Sequence, residues 1–524
     1  MRIKSIDIEG HPLFRKFSYD QFDVQTEPKD VATFLIGQNG SGKSIFLEIL
    51  VEIFQAVFED RELSFRYNLV YVLNNVQVTL HDGDIKISEL ARSSKDGLLV
   101  DRKLLKRERA QWLPNHVIFY YSGVVNRSQD FFKKEYENTK REIINGEVVD
   151  LPRFFYIDPT LVPLILITLY TFEERFKSSA LWERLELGPL DKIEFTFNEV
   201  DWYKKNYELD DANLSFWGAR GAVGDFLDKL KAATTSSKTA SVEITIEGEK
   251  EKLLFFKDLK IDGKDIKILK EQLSDPDPKI FFKQLLDLSM SGLLQDIDIT
   301  ISKEELKDKF NFKYLSEGEK QLLLVLGFLE LNKLENVLFL FDEPDTHLNP
   351  LWKYEYFNTI MEIVEDTSNK VQILISTHDP LIISGLEKEN VIIVENNAGQ
   401  ITMEPAIEDL FGKGVDAILT SELFGLNSTL DHKTLTEMLD RRKLLVKRES
   451  ESLTPEESKL LEELNNKLEN IDFNKPFADP LYKDFVMSIR NLDDYKDVHI
   501  SEEEREVRSK TAKSIMDKIM KEGK

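Results

Sequence analysis

The chain has 524 residues, 41% hydrophobic and 31% charged, a composition typical of a globular protein with more than one structural unit. It contains no cysteine, which excludes disulfides, thiolate zinc sites and cysteine nucleophiles and fits a reducing cytoplasm. The formal net charge of −25 disfavours general DNA binding, so any nucleic-acid contact is expected through a partner chain or a local basic patch.

In chain order, the first patterns predict an edge strand (1–10), a buried parallel strand (31–36), a helix (44–54) and a further strand (116–123). From about 124 to 310, amphipathic helices mix with short strands. The longest apolar run there, 161–172, is much shorter than the roughly 20 residues of a membrane span, so no membrane segment is predicted. Strongly apolar strands return at 336–341 and 371–376, and the chain beyond 399 is predicted to be largely helical.

Residues 37–44, GQNGSGKS, fit the phosphate-binding pattern G-x-x-x-x-G-K-[ST] between a predicted strand and a predicted helix. The glycines allow successive N–H groups to turn inward, and the start of the helix adds partial positive charge. Lys43 is expected to reach the β- and γ-phosphates, and the Ser44 hydroxyl to bind Mg²⁺. The nucleotide-binding residues predicted here are Gly37, Asn39, Gly40, Ser41, Gly42, Lys43 and Ser44.

Two further strands end in residues suited to phosphate chemistry. Asp342 stands at the tip of an apolar strand, where it is expected to bind Mg²⁺ directly or through water. Glu343 follows and is placed to orient or deprotonate the attacking water. His378 comes just after the strand at 371–376 and is expected to read the γ-phosphate. The predicted catalytic residues are therefore Glu343 and His378.

A second anion-binding surface is predicted in the segment 314–331. Ser316 and Gly318 stand at the start of an apolar helix, and helix starts bind anions. One nucleotide hardly needs two such surfaces from one molecule. We therefore expect Ser316 and Gly318 to close on the nucleotide held by another subunit.

Together, these elements resemble the ATP-binding cassette (ABC) ATPases. Residues 315–321, LSEGEKQ, match the signature motif of that family, Asp342–Glu343 its Walker B motif, Asp345 its D-loop position and His378 its switch histidine. The resemblance implies an α/β fold, a P-loop NTPase of ABC-ATPase type, with ATP and Mg²⁺ as cofactors. It also implies a head-to-tail homodimer or higher homo-oligomer with Asp345 near the nucleotide.

The resemblance covers roughly 1–124 and 311–400, and it departs from the family at the glutamine loop, where Ser122 and Asn126 are candidates for the missing residue. It implies a large α+β insertion between two ATPase lobes and a helical C-terminal region. The predicted domains are an N-terminal ATPase lobe (1–124), a mostly helical insertion (125–310), a C-terminal ATPase lobe (311–400) and a helical assembly or partner region (401–524).

Within the family, the segments YYSG, FDEPDTHLNP, TSELFGLNSTL and FADPLYKDF resemble the Septu and retron-associated PtuA-type ATPases of bacterial anti-phage defence. This resemblance implies an ATPase that gates a separate nuclease subunit of the His-Asn-His (HNH) type. Two alternatives stay open, a RecF-like DNA-repair ATPase acting directly on DNA and a nearly inactive ATP-binding scaffold. The basic stretch Arg441–Lys443, with Lys447 and Arg448, is either a solvated helix face or a contact for the partner or DNA.

Overall fold

The computed structural model describes residues 1–20, 22, 31–89, 98–100, 110–123, 127–200, 215–246, 249–273, 276–303, 309–332, 334–364, 371–397, 399–421, 423–424, 426, 428–450 and 452–470. Asn126 and the segment FADPLYKDF lie outside the described residues. The chain forms two compact units, Met1–Asn427 and Ser428–Lys524. Both expected ATPase lobes and the insertion therefore belong to the first unit. Among the helices described, none is long and apolar enough to cross a membrane.

The first unit is organised around a seven-stranded sheet with the strand order β18-β17-β3-β16-β15-β8-β9. Its strands are β3 Ala32–Ile36, β8 His116–Tyr121, β9 Phe154–Ile157, β15 Val337–Asp342, β16 Val371–Thr377, β17 Val391–Asn397 and β18 Gln400–Pro405. All neighbours run parallel except β17 and β18, which form an antiparallel hairpin. The parallel strands consequently present their carboxyl ends at one edge of the sheet, which is where ligands bind in α/β folds.

Alternate residues of the central strands enter two hydrophobic cores. On β15, Phe339 and Phe341 pack with the insertion, whereas Leu338 and Leu340 pack with the first helix and the N-terminal strands. This follows from the two-residue period of a strand, whose successive side chains point to opposite faces. Because both faces are covered, β15 is an almost uninterrupted apolar run.

An antiparallel sheet at the N-terminal side has the order β2-β1-β4-β5-β6-β7. Its strands are β1 Arg2–Glu9, β2 Lys16–Tyr19, β4 Arg66–Leu73, β5 Val76–His81, β6 Asp84–Glu89 and β7 Leu98–Val100. The prediction of an edge strand at the start of the chain is therefore wrong, because β1 lies between β2 and β4. The short strand β2 buries Phe17 and Tyr19 and takes the edge position instead.

The insertion contains a third sheet, fully antiparallel, with the order β11-β12-β10-β13-β14. Its strands are β10 Leu187–Phe197, β11 Ser236–Ile246, β12 Glu249–Asp262, β13 Leu294–Lys303 and β14 Lys309–Asn311. The expected α+β insertion is thus present, but the expectation that its strands are short is wrong. Four of these strands have ten or more residues, because neighbouring strands pair over long stretches that sequence alone does not reveal.

Of the described helices, the last two belong to the second unit and the others to the first. They are Lys43–Glu59, Lys133–Ile144, Val162–Thr171, Glu173–Phe176, Ala180–Leu185, Gly221–Ala232, Ile266–Glu271, Pro278–Met290, Glu317–Leu322, Phe328–Leu331, Pro350–Val364, Pro380–Ile383, Val415–Leu419, His432–Ser450 and Pro455–Asn470. A π-helical turn, Leu323–Gly327, joins two of them.

In the second unit, the basic stretch lies on the helix His432–Ser450 and is partly engaged by the neighbouring helix. Arg441 Nε donates to Asn465 Oδ1 at 2.6 Å, and Lys447 Nζ lies 2.6 Å from Glu457 Oε1. These contacts favour a structural role for the two cations, because both side chains already have partners within their own unit.

Candidate active site

The glycine-rich loop 37–44 connects β3 to the helix that begins at Lys43, as its pattern predicts. The β17–β18 hairpin packs closely against this loop. A Cβ atom added to Gly37 would lie 2.1 Å from Val394 O, and one added to Gly42 would lie 2.3 Å from Ile401 Cδ1. Gly42 also has a φ of +102°, a backbone conformation that favours glycine. Packing around the loop thus requires glycine at both positions, and the backbone conformation requires it at Gly42 as well.

Lys43 holds the loop in its curled shape. Its side chain is buried, and Nζ donates to the backbone oxygens of Gly37 at 2.7 Å and Gln38 at 3.2 Å. From the hairpin, Asn396 Nδ2 donates to Gly40 O at 3.2 Å. Hydrogen bonds on two sides therefore fix the loop backbone. Its N–H groups lose little conformational entropy when they bind an anion.

A cavity of about 460 Å³ lies between the loop and the β17–β18 hairpin. Among the residues predicted to bind nucleotide, Asn39 is exposed at its edge, whereas Ser41 is buried. The Ser41 hydroxyl has no hydrogen-bond partner among the described residues. A buried hydroxyl left unpaired costs free energy. It is therefore a group that an incoming oxygen ligand can satisfy.

Asp342 ends β15 beside the loop and meets the predicted Mg²⁺ ligand Ser44. Its carboxylate accepts hydrogen bonds from the hydroxyls of Ser376 and Ser44. Burial raises the pKa of Asp342, and burial lowers the pKa of Lys43, although the carboxylates of Glu343 and Asp342 act against that lowering. A carboxylate and a hydroxyl in contact supply the oxygen donors that Mg²⁺ prefers, so Ser44 and Asp342 fit this ion.

Glu343 and His378, the two predicted catalytic residues, are in direct contact. Glu343 Oε1 lies 2.9 Å from His378 Nδ1, and both side chains are partly open to solvent. Glu343 has a φ of +51°, which is uncommon for a residue with a side chain, and its N–H donates to Ser376 O at 3.0 Å. Such backbone strain costs roughly 1–3 kcal/mol and occurs mainly at functional sites.

Asp345, the residue matched to the D-loop position, lies inside the unit. It is 2% exposed, and its Oδ2 accepts a hydrogen bond from Thr377 Oγ1 at 3.1 Å. Burial raises the pKa of Asp345 to about 6. The structure therefore places this carboxylate next to the strand end that precedes His378, where it is shielded from solvent in this conformation.

Ser316 and Gly318 begin the helix that follows β14, as expected. The Ser316 hydroxyl accepts from Glu319 N at 3.2 Å, and the Ser316 N–H donates to Glu319 Oε2 at 2.7 Å, which completes a capping box. Ser316 is exposed, whereas Gly318 packs so closely on the segment after β15 that an added Cβ would lie 2.6 Å from His347 O. The segment 316–319 is thus pre-ordered, with Ser316 at the surface.

Sequence reasoning missed Ser376, which contacts both acidic residues of the site. The parallel register pairs Ser376 with Asp342, so the hydroxyl lies beside the carboxylate. Only its position as a polar residue near the end of an apolar strand could have indicated this. Ser122, a candidate for the glutamine-loop position, does reach the site region, since its Oγ lies 2.9 Å from Thr346 Oγ1 and its N–H donates to Asp342 O at 3.3 Å.

Residues 191–384 match the family described as "AAA domain, putative AbiEii toxin, Type IV TA system". The "Retron Vc95 probable ATPase" of Vibrio cholerae serotype O1 biovar El Tor is 23% identical over 484 residues, covering 86% of this chain and 84% of that protein. The "Septu protein PtuA" of Bacillus mycoides is 32% identical over 136 residues, covering 26% of this chain and 18% of that protein.

Among solved structures, an Smc head domain with an extended coiled coil from Pyrococcus furiosus aligns with 77% of this chain and 96% of that chain, at 14% identity and a TM-score of 0.32. The described fold is that of a P-loop ATPase, with the phosphate-binding loop after β3 and the acidic pair after β15 of one parallel sheet. The sequence similarities confirm the resemblance of this chain to defence-associated ATPases of the retron and Septu type.

Proposed function

We propose that the chain binds ATP with Mg²⁺ at residues 37–44, hydrolyses it, and acts as the ATPase subunit of an anti-phage complex. The observation that carries this proposal is the contact between Glu343 and His378 at 2.9 Å, at the same sheet edge as the phosphate-binding loop. A carboxylate held by an imidazole beside an anion-binding loop is suited to activating water for attack on a phosphate.

In this proposal, each residue has a separate task. Lys43 exchanges its backbone partners for the β- and γ-phosphate oxygens, and Ser44 and Asp342 hold the metal ion. Bound Mg²⁺ would neutralise charge on the phosphates as the terminal bond breaks. Glu343 accepts a proton from the attacking water, while His378 orients that carboxylate through Nδ1 and presents its remaining ring nitrogen toward the terminal phosphate. Glu343 is therefore the general base.

We further propose that two copies close head to tail around two nucleotides, each held by the loop 37–44 of one subunit and by Ser316 and Gly318 of the other. Two features support this arrangement. The capped helix start at Ser316 is exposed and pre-ordered, although the loop 37–44 already offers one phosphate cradle. Two large apolar side chains are also exposed, Tyr314 at 82% just before Ser316 and Leu351 at 63% on the helix whose Trp352 packs near Gly318. A second copy would cover such side chains.

The similarity to retron and Septu proteins supports a partner effector, for which we propose a separate nuclease of the HNH type. In this scheme, the ATPase dimer controls the nuclease, and the nuclease or a local basic patch contacts nucleic acid. The net charge of −25 supports that division of labour, because an acidic surface repels phosphate backbones.

Glu343→Gln tests the proposal, because the amide keeps the size of the side chain but cannot accept the proton. We expect ATP binding to be retained, turnover to fall by roughly 100-fold or more, and closed dimers to accumulate on ATP addition. Calorimetry, phosphate release and native mass determination measure the three effects. Glu147→Gln, a change of the same kind at an exposed position, is the matched control. Unchanged turnover in Glu343→Gln would contradict the assigned base.

Ser316→Arg distinguishes the role of dimer closure from ATP binding by a single chain. The added side chain should block closure and turnover while each chain still binds ATP, because Ser316 contacts only a partner's nucleotide in the proposal. Normal turnover in this variant would refute the trans-acting role. Strong stimulation of the isolated chain by DNA would instead favour the RecF-like alternative, in which the chain acts on DNA without a nuclease partner.

A further inference from the structure

A second cavity, of about 500 Å³, lies outside the proposed ATP site, beside β9, the strand at one end of the described central sheet. Its walls are the last strand β9, the turn Arg127–Phe131 with the helix that follows it, and the end of the helix Pro278–Met290. The volume falls within the range of small-molecule sites. The proposed ATPase mechanism makes no use of this cavity.

Aromatic rings form much of the cavity wall. Phe132 and Tyr156 lie with ring centroids 5.7 Å apart, and Tyr136 stands at the mouth with 43% of its surface exposed. The phenols of both tyrosines are neutral at physiological pH, and burial raises their pKa further above it. The ring faces are electron-rich, and cations bind favourably over such faces.

Carboxylates give the cavity its charge. Asp130 and Asp158 are among the lining residues, and Lys133 is the one cation among them. Asp158 is fixed in place, because its Oδ1 accepts the N–H of Thr160 at 2.8 Å. The lining therefore carries an excess of negative charge in a chain that is itself strongly acidic. This combination disfavours phosphate-bearing ligands and favours cations.

The walls are held by hydrogen bonds to the rest of the unit. Ser128 Oγ donates to Glu48 Oε1 at 2.7 Å, and Gln55 Nε2 donates to Phe131 O at 2.8 Å, which ties the turn to the helix after the phosphate-binding loop. On the other side, Glu135 Oε1 accepts the N–H of Arg153 at 2.8 Å. The cavity is thus pre-formed, and binding there requires little ordering of the chain.

We propose that this cavity binds a guanidinium group, either of a free small molecule or of an arginine side chain. A guanidinium is planar and stacks on aromatic rings, and its fork of N–H donors matches a carboxylate. Tyr136 and Phe132 would contact its faces, while Asp130 and Asp158 would accept its hydrogen bonds. The site is independent of the nucleotide and does not rest on the proposed function.

Calorimetry with the full chain tests the proposal, with agmatine as the free cation and the blocked peptide Gly-Arg-Gly as the side-chain source. We expect at least one probe to bind with a Kd of about 1 mM or tighter. The same peptide with citrulline in place of arginine is neutral and nearly isosteric, and it should bind at least about tenfold more weakly. Binding of the arginine peptide at least about tenfold tighter than that of agmatine would identify a side chain as the source, and tighter binding of agmatine would identify a small molecule.

Asp130→Asn should weaken the binding of the active probe by at least about tenfold, because it removes the charge facing the guanidinium. Glu137→Gln removes a charge from the helix that follows the turn, at a residue that does not line the cavity, and should leave binding within about twofold. Ser289→Trp, which fills the cavity, should abolish binding and provides a second variant should Asp130→Asn fail to fold. No binding of either probe, or equal binding of the citrulline peptide, would overturn the proposal.

Discussion

The central sheet and the five-stranded sheet of the insertion place their charged side chains differently. In the central sheet, Asp342 ends one strand, and Glu343 and His378 come just after strand ends on the same edge. In the insertion sheet, the charges form pairs along the strands or next to them, such as Lys238 with Asp258 at 3.2 Å. The strands also differ in composition, since β15 (VLFLFD) has one charged residue in six and β12 (EKEKLLFFKDLKID) has eight in fourteen.

The difference follows from strand direction. Parallel strands end at a common edge, so polar residues that follow separate strands converge there and create a site. Antiparallel strands end alternately at opposite edges, and their exposed charges pair across the sheet face, where each pair contributes little. Charges at converging parallel ends should therefore control activity, whereas charges on the antiparallel face should have little effect on either activity or stability.

The largest effect is expected from Lys43→Ala at the parallel edge. Removing this cation leaves Asp342 and Glu343 without compensation and deprives the phosphates of their donor, so turnover should fall by about 1000-fold or more. Phosphate release and ATP calorimetry measure the loss. Lys309→Ala, which breaks the pair with Asp191 in the insertion sheet, is the control and should leave turnover unchanged. Similar losses in both variants would refute the distinction between the sheets.

His378→Ala should have the next largest effect, lowering kcat by about 100-fold with little change in KM. The imidazole Nδ1 lies 2.9 Å from the carboxylate of Glu343, and in the proposed mechanism this contact serves the reaction rather than ATP binding. Steady-state kinetics separate the two constants. A rise in KM at constant kcat would show that His378 serves binding instead.

Asp345→Asn should stabilise the chain by about 1–3 kcal/mol above pH 6. Burial raises the native pKa of Asp345 from 3.8 to about 6. The native state therefore holds a proton that the unfolded chain has already released, and wild-type stability is full below about pH 4 and falls as the pH rises to about 6. The variant lacks this fall. Denaturant unfolding should show a larger difference in the free energy of unfolding between variant and wild type at pH 7 than at pH 4. An equal difference at both pH values would contradict the prediction.

The smallest effect is expected from Lys313→Ala beside the insertion sheet. Lys313 pairs with Asp296 at 2.7 Å and Asp298 at 2.8 Å, but all three side chains are about half exposed. Exposed pairs contribute roughly 0–1 kcal/mol, so the free energy of unfolding should change by less than about 1 kcal/mol and turnover should not change. A larger loss would mean that this network supports the fold.

Local patterns were sufficient to predict the elements of the ATPase part. The loop 37–44, the strands before Asp342 and His378, and the capped helix at Ser316 all appear where their patterns place them. The position of β1 and the extent of the insertion sheet were not predictable, because both depend on which distant strand pairs with which. Strand pairing leaves little local signal.

By itself, the sequence determined which residues are candidates for the chemistry, because the glycine spacing, Lys43 and the acidic pair after an apolar strand are local features with few structural alternatives. Only the tertiary structure decided that Glu343 meets His378, that Ser376 supports both acidic residues, and that Asp345 is buried. The physical reason is register. Parallel pairing of β15 with β16 brings together side chains more than thirty positions apart, and no local pattern encodes that alignment.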